Sequence, residues 1–228
     1  MRAGIKTPHQ LLGWIASLPA TQKTSLECGA GNAELAQFLA FKFQNSVAMD
    51  IHPIGLLEGE NTKVLQGTCN KLPFKNESID LVISMQALHH FDVQSHLTEA
   101  HRVLKTGGIF TVLCWGEARL PRKIKMAYQG IFDAIEPFWE HARKWVLTGY
   151  DGVAFEGDRI TLPKSFMKRR MTIDELELEI FKMSATQKAI SENIDIPDAQ
   201  LSEAEFDSIG EFEVRWPILG RIFRRQDV

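Results

Sequence analysis

The stretch SLECGAGNAELAQFL, residues 25–39, decides how the rest of the chain is interpreted. Its first residues are typical of a short strand, Gly29 and Gly31 form a turn, and a helical pattern begins near Asn32. Glycines let the backbone approach a ligand closely, and a helix N-terminus offers unpaired N–H groups. A simple connection between strand and helix has the same appearance, so the glycines alone leave both interpretations open.

The segments that follow predict an α/β fold. Strands are expected at NSVAMD, KVLQG, IDLVISM and IFTVLCW, and helices at NAELAQFLAFKF and DVQSHLTEAHRVLKTGG. Asp92 is the expected cap of the second of these helices, and Gly107 its expected end. Alternation of strand and helix from residue 24 to residue 115 indicates a parallel sheet covered by helices. Ligands bind such sheets at the carboxyl ends of the strands, where the glycine turn lies.

The second half of the chain is predicted to be mostly helical. Residues 119–146 include three aromatic residues that either pack in a core or cover an apolar acceptor: Phe132, Phe138 and Trp139. RITLP is expected to be a strand, and TIDELELEIFKMSATQKAISEN a single helix with a capping box of Thr172 and Glu175. EFEVRWPILGRIF alternates apolar and polar residues as a strand does. No repeat or linker is visible, so we expect one domain over residues 1–228.

The bulk composition restricts the class of protein. The 228 residues are 44% hydrophobic and carry a formal net charge of -3, which gives no overall indication of nucleic-acid or anionic-membrane binding. The three cysteines, Cys28, Cys69 and Cys114, are widely spaced and predict neither a metal site nor a disulfide framework. With no secretory leader and no long apolar run, we expect a cytoplasmic protein.

Two acidic residues at strand ends suggest the ligand. Asp50 ends the second strand, 19 residues after Gly31, where a carboxylate can accept hydrogen bonds from both hydroxyls of a ribose. Glu27 ends the first strand, where it would repel a pyrophosphate but attract an ammonium group. Position 34 is Glu, whereas the dinucleotide motif has Gly or Ala there. These features favour S-adenosylmethionine, with its ribose diol and cationic aminoacyl tail, over a dinucleotide.

Four segments in order then carry a resemblance to a known family: LECGAGNAELAQFL, AMD, GTCNKLPFKNESIDLVISMQALHHF and AHRVLKTGGIFTVLCWG. Residues 24–116 resemble the class I S-adenosylmethionine-dependent methyltransferases, in the type 11-like branch. The tail with VRWP is more weakly similar to small-molecule methyltransferases of the trans-aconitate type. The resemblance implies a Rossmann-like, doubly wound sheet of seven mostly parallel strands, with an antiparallel last strand beside the fifth. It divides the domain into a cofactor-binding core at 24–116 and substrate-side elements at 117–228.

The resemblance also implies roles for individual residues. Glu27, Gly29 and Gly31 would lie under the methionine part of S-adenosylmethionine, and Asp50 would hold the ribose. Five further residues would line the same cofactor, with Ile51, Thr68 and Cys69 at the adenine and Met85 and Gln86 near the sulfonium. In ALHHFD, His89 is the candidate general base if the acceptor must lose a proton, although shaping the pocket or capping the next helix is the competing interpretation.

Departures from the family pattern keep other functions open. Thr68 replaces the usual aspartate, the segment ahead of the first strand is short for a lid, and Pro53, Gly55 and Gly59 interrupt the passage where a helix is usual. These features allow a degenerate cofactor-binding module or partner subunit without activity. A dinucleotide oxidoreductase is disfavoured by Glu27.

The expected acceptor is a small molecule, with oxygen as the methylated atom. The basic runs KSFMKRR and RIFRR keep an RNA methyltransferase as an alternative, although nucleic acid is the less favoured partner because DELELE lies close by. No membrane partner is expected, and a homodimer or a partner subunit stays open.

Overall fold

The computed structural model describes residues 8–53 and 59–227 of the chain. These residues form eight helices and eight strands, in the order α1 (His9–Ala16), β1 (Thr24–Cys28), α2 (Glu34–Leu39), β2 (Asn45–Asp50), β3 (Thr62–Gln66), β4 (Ile79–Met85), α3 (Val93–Val103), β5 (Leu104–Trp115), α4 (Arg122–Ile135), α5 (Arg143–Leu147), β6 (Asp158–Ile160), β7 (Ser165–Met171), α6 (Ile173–Phe181), α7 (Ser184–Ser191), α8 (Glu203–Ser208) and β8 (Phe212–Arg224). Short 3₁₀ turns lie at Leu88–His90 and Glu136–Phe138.

The chain divides into two compact units. The first unit comprises the described residues up to 116 together with 144–165 and 218–227, and the second comprises 117–143 and 166–217. The chain thus leaves the first unit twice and returns to it twice.

Seven strands of the sheet follow the order β3-β2-β1-β4-β5-β8-β6. The pairs from β3 through β5 are parallel, and β8 lies antiparallel between β5 and β6. An eighth strand, β7, also pairs with β8. The structure therefore confirms the Rossmann-like fold and the antiparallel last strand beside the fifth. The seven expected strands are present, and β7 is the additional one.

Burial explains why the central strands form where the sequence predicts them. Six of the seven residues of β4 are buried, as expected for a strand covered on both faces. Their side chains join the core of the first unit with those of β1 and β5. Asp92 caps α3 as predicted, because its side chain accepts the backbone N–H of Ser95.

Two element boundaries differ from the sequence prediction. The helix expected to end at Gly107 ends at Val103, and β5 begins at Leu104. Gly107 has φ +75° but lies within β5, so its left-handed conformation does not mark the end of the helix. The passage after Asp50 contains Gly55, which lies outside the described residues.

The long helix expected from Thr172 onward is also divided in two. The capping box of Thr172 and Glu175 is present at the start of α6, but α6 ends at Phe181 and α7 begins at Ser184. The break rotates the buried face, so that Ala185 and Ala189 are buried in α7. Ile190, which a single continuous helix would bury, is 45% exposed.

Phe132, Phe138 and Trp139 pack against a core of the second unit that contains Ile135, Ala185 and Ala189. No helix formed by the described residues combines the length and the apolar character that a membrane crossing needs.

Gly220 allows β8 to lie against β5, and its replacement tests this contact. A Cβ there would overlap the carbonyl oxygen of Val112 and lie 3.0 Å from the Cα of Leu113. We expect Gly220→Ala to lower the free energy of unfolding by about 2–3 kcal/mol because backbone must move to admit the methyl group. Chemical denaturation measures the change.

Gly13→Ala is the matched control for this substitution. A Cβ at Gly13 has no heavy atom within 4 Å, and the residue lies inside α1. Alanine is the better helix former, so we expect a gain of about 0.5–1 kcal/mol. Equal effects of the two substitutions would contradict the proposed packing at Gly220.

Candidate functional site

The carboxyl ends of four neighbouring parallel strands bring the candidate site residues together. The ten residues named from the sequence lie at the ends of β1, β2 and β4 or in the loops that follow β1, β2, β3 and β4, and these strands are adjacent in the sheet. Gly29 and Ala30 both donate their backbone N–H groups to the carbonyl oxygen of Met49, which joins the first two loops.

The two glycines of the turn have different surroundings. Gly29 has φ +74°, and a Cβ there would overlap the Cβ of Ala87 and lie 3.0 Å from the ring of Phe91. Protein packing therefore already requires glycine at position 29. Gly31 has φ +52°, and a Cβ there would have no heavy atom within 4 Å. Gly31 is thus exposed to open space, where a ligand can approach the backbone.

Asp50 is fixed by backbone groups on both sides. Its Oδ2 accepts the N–H of Gly31 at 2.9 Å, and its Oδ1 accepts the N–H of His52 at 2.9 Å. A carboxylate has about four acceptor positions, so each oxygen can accept a further hydrogen bond. Ile51 beside it is 57% exposed, which is unusual for a large apolar side chain. The pair offers a fixed anion next to a bare apolar surface.

Glu27 is almost entirely buried at the end of β1, with 5% of its surface exposed. Its Oε2 accepts the backbone N–H of Ala36 at 2.7 Å, which satisfies one of the unpaired groups at the start of α2. The N-cap position itself is occupied by Ala33, whose side chain cannot accept a hydrogen bond. This capping role of Glu27 was not predicted, because the sequence does not show that strand and helix ends meet.

Burial raises the pKa of the Glu27 carboxyl from 4.5 to about 8. Loss of water is the largest cause, and the nearby carboxylates of Asp50 and Glu34 add to it, whereas the Ala36 N–H acts in the opposite direction. The carboxyl therefore holds its proton near neutral pH unless a cation lies against it.

The adenine-side residues of the sequence prediction lie in different environments. Thr68 is exposed, and its Oγ1 accepts the N–H of Asn70 at 3.3 Å. Cys69 is buried, and its thiol is hydrogen-bonded to that of Cys28. This hydrogen bond is the largest cause of the lowered pKa of Cys69. The three cysteines are reduced and buried.

The end of β4 carries the remaining candidates. Met85 and Gln86 are half-buried, and Gln86 has φ +55°, which turns the chain sharply out of the strand. The 3₁₀ turn follows, with His89 half-buried and His90 exposed. Nδ1 of His89 lies 3.1 Å from Oη of Tyr150, within hydrogen-bond distance. Tyr150 was not identified from the sequence, because a contact across 61 positions leaves no local pattern.

Within residues 8–53 and 59–227, no group of three or more His, Cys, Asp or Glu side chains is arranged to hold a metal ion.

Comparison with known proteins agrees with this architecture. A family model described as a methyltransferase domain matches residues 26–112. An uncharacterized methyltransferase from Mycobacterium tuberculosis is 32% identical over 105 residues, which are 44% of this chain and 42% of that protein. A malonyl-[acyl-carrier protein] O-methyltransferase from Dechloromonas aromatica is 31% identical over 108 residues, which are 46% of this chain and 40% of that protein. The chain thus matches less than half the length of these relatives.

A solved structure from Anaeromyxobacter dehalogenans, provisionally described as a type II methyltransferase, shares the fold. Its TM-score is 0.85 at 21% sequence identity, and the match covers 97% of this chain and 98% of that one. The shared fold extends beyond the family match at residues 26–112. Residues 26–112 therefore match a methyltransferase domain in sequence, and the chain shares the fold of the Rossmann-like methyltransferases.

Proposed function

We propose that this protein binds S-adenosylmethionine at the carboxyl ends of β1 to β4 and transfers its methyl group to an oxygen of a small molecule in the cytoplasm. The observation that carries the proposal is the Asp50 carboxylate, which two backbone N–H groups hold at the edge of the sheet beside the exposed Ile51. A fixed acceptor next to an apolar surface suits a nucleoside, whose ribose hydroxyls donate and whose base stacks.

The surrounding residues fit the rest of the same cofactor. Open space at Gly31 admits a ligand against the backbone. The pKa of the buried Glu27 carboxyl is raised, and no basic side chain among the described residues counteracts that effect. The ammonium group of the aminoacyl tail would supply a cation there. Thr68 and Cys69 would adjoin the adenine, and Met85 and Gln86 would adjoin the sulfonium end.

S-adenosylmethionine supplies a methyl group on a positively charged sulfur, and an acceptor oxygen displaces it in line. The residues of this chain then have mainly to align the reactants, since proximity and orientation lower the barrier substantially. His89, on the turn after β4, would meet the acceptor side of the cofactor. A carboxylate acceptor is already deprotonated at neutral pH, so His89 acts as a base only for a hydroxyl acceptor.

A carboxylate oxygen is the acceptor that the comparisons favour. The Dechloromonas aromatica relative is named for O-methylation of a malonyl group on acyl-carrier protein, and another such relative, from Coxiella burnetii, is 27% identical over 120 residues. Both matches cover about two fifths of those proteins, so the carrier-bound form of the acceptor belongs to those proteins and only the carboxylate is proposed here.

A degenerate cofactor-binding subunit is the second candidate. Thr68 occupies the expected aspartate position, and its hydroxyl already accepts one backbone N–H. A neutral acceptor holds the adenine amine less strongly than a charged one. Cofactor binding without transfer to any acceptor would favour this alternative.

RNA methylation is less favoured because acidic partners neutralise much of the basic runs. Arg169 pairs with Glu175 and Glu179, and Arg170 pairs with Glu211. In the second run, Arg221 pairs with Asp151 and Arg225 with Glu77. RNA binding whose affinity falls steeply with salt would restore this alternative.

Replacing Asp50 tests the cofactor site. We expect Asp50→Ala and Asp50→Asn to weaken S-adenosylmethionine binding roughly 10- to 100-fold in calorimetric titration, because a charged acceptor of two hydroxyls is lost. Asp195→Ala, an exposed aspartate of the second unit, is the control and should bind like the parent protein. Full affinity in a folded Asp50 variant would contradict the proposed site.

The buried Glu27 predicts that binding depends on pH. Its folded pKa of about 8 means that the free protein holds the proton at pH 6–7.5, and an ammonium ligand favours the form without it. Binding therefore releases close to one proton, and affinity should rise as pH rises through this window, by up to about tenfold per unit. Calorimetry in buffers of different ionisation enthalpy counts the proton.

Glu27→Gln is the matched variant for this linkage, because its amide oxygen can still accept the N–H of Ala36. It should bind the cofactor more weakly and without the proton release. A proton release that persists in Glu27→Gln would assign the proton to another group.

An acceptor panel tests the reaction itself. We expect methyl esters, detected by mass, from carboxylates such as trans-aconitate and a malonyl thioester, and no product from RNA. Transfer only to a phenol would move the acceptor class to hydroxyls and make a base necessary. Transfer to none of them, despite cofactor binding, would support the inactive subunit.

A further inference from the structure

Tyr150 is presented to His89 by a tightly built turn of the first unit. Residues 144–165 form the segment between the two excursions of the chain into the second unit. Within this segment, Gly149 has φ +58° and Tyr150 has φ +61°. A left-handed conformation is uncommon for a residue with a bulky side chain and often marks a functional constraint.

Several contacts hold this turn in its conformation. The guanidinium of Arg221 donates to Asp151 Oδ1 at 2.6 Å and to the carbonyl oxygen of Thr148 at 3.3 Å. Tyr150 donates its own N–H to the carbonyl oxygen of Trp145 at 2.7 Å. A Cβ at Gly149 would lie 2.8 Å from the Cβ of Leu219, so β8 packs directly under the turn.

The rest of the segment is anchored in the core of the first unit. The ring of Phe155 stacks on that of Phe110 in β5, with centroids 4.5 Å apart. Tyr150 itself has no exposed surface. The turn therefore has little freedom to move, and its hydroxyl lies at a fixed place 3.1 Å from Nδ1 of His89.

The protonation of the phenol determines which group donates. Burial raises the pKa of Tyr150 well above its usual range, so the O–H is retained. A buried O–H without an acceptor is costly, and Nδ1 of His89 is the acceptor that the structure places beside it. Donation from Oη to Nδ1 places the proton of a neutral imidazole on Nε2.

We propose that Tyr150 is a positioning residue for His89, which holds the ring plane and the tautomer of this histidine at the end of β4. This proposal rests on the proposed function, because the proposed function is what places an acceptor beside His89. With its proton on Nε2, the imidazole can donate a hydrogen bond to an acceptor carboxylate. The tyrosine acts through His89 and does not itself contact the reacting atoms.

The two tyrosines of the chain offer a matched pair of variants. Tyr128 is also fully buried, and its hydroxyl donates to Glu177 at 2.7 Å in the second unit. Tyr150→Phe and Tyr128→Phe each remove one hydroxyl and keep the ring. Loss of stability alone would affect both in the same way.

The first measurement is the ¹⁵N resonance of His89 Nδ1, assigned by its absence from the spectrum of His89→Gln. We expect this resonance to move in Tyr150→Phe and to stay in place in Tyr128→Phe. An identical Nδ1 resonance in all three proteins would overturn the proposal.

The second measurement is methyl transfer to the acceptor identified by the panel. We expect Tyr150→Phe to lower kcat roughly 10- to 100-fold with the KM for S-adenosylmethionine unchanged, because alignment is lost on the acceptor side only. Tyr128→Phe should keep the parent kcat. Equal losses in both variants would overturn the positioning role. If the parent protein transfers no methyl group, the proposed function fails, and the Nδ1 resonance alone decides the Tyr150–His89 bond.

Discussion

The close approach of two backbone turns at the carboxyl edge of the sheet is the constraint on which the rest of the structure depends. Gly29 follows β1, Ala87 follows β4, and the Cβ of Ala87 occupies the space that a side chain at position 29 would need. The hydrogen bonds of Gly29 and Ala30 to Met49 bring the end of β2 to the same place. One missing methyl group thus lets three strand ends converge, and Glu27, Asp50 and His89 come with them.

The fold was largely predictable because its signals are local. The buried strand IDLVISM is found at the predicted residues, Ile79–Met85, and Asp92 caps the next helix. The helix break at Lys182 and Met183 was missed because apolar residues continue at helical spacing across it, although the structure rotates the buried face there. The end of α3 was missed because Gly107 fits a helix end equally well.

The candidate site was predictable only in part, for a physical reason. Glycines and strand-end acids are visible in the sequence, and the structure places Glu27, Gly31 and Asp50 at one edge of the sheet. Glu27 lies at the end of β1 and also accepts the N–H of Ala36 at the start of α2. This second contact depends on the packing of a helix end against a strand end, which the sequence does not show. Tyr150 depends on a contact between segments 61 residues apart, and no spacing rule reports such a contact.

The pairing of β5 with β8 has a consequence for how the sheet is completed. Ile109 pairs with Arg224, so more than a hundred residues separate the partners, and two excursions into the second unit lie between them. Until β8 pairs with it, β5 is an open edge. Of the seven residues that β8 pairs with, 109–114 are buried in the finished structure and Trp115 is half-buried. Unpaired apolar edges recruit other chains. The family match itself ends at residue 112, so a fragment trimmed to the matched domain would expose this edge permanently and would tend to aggregate.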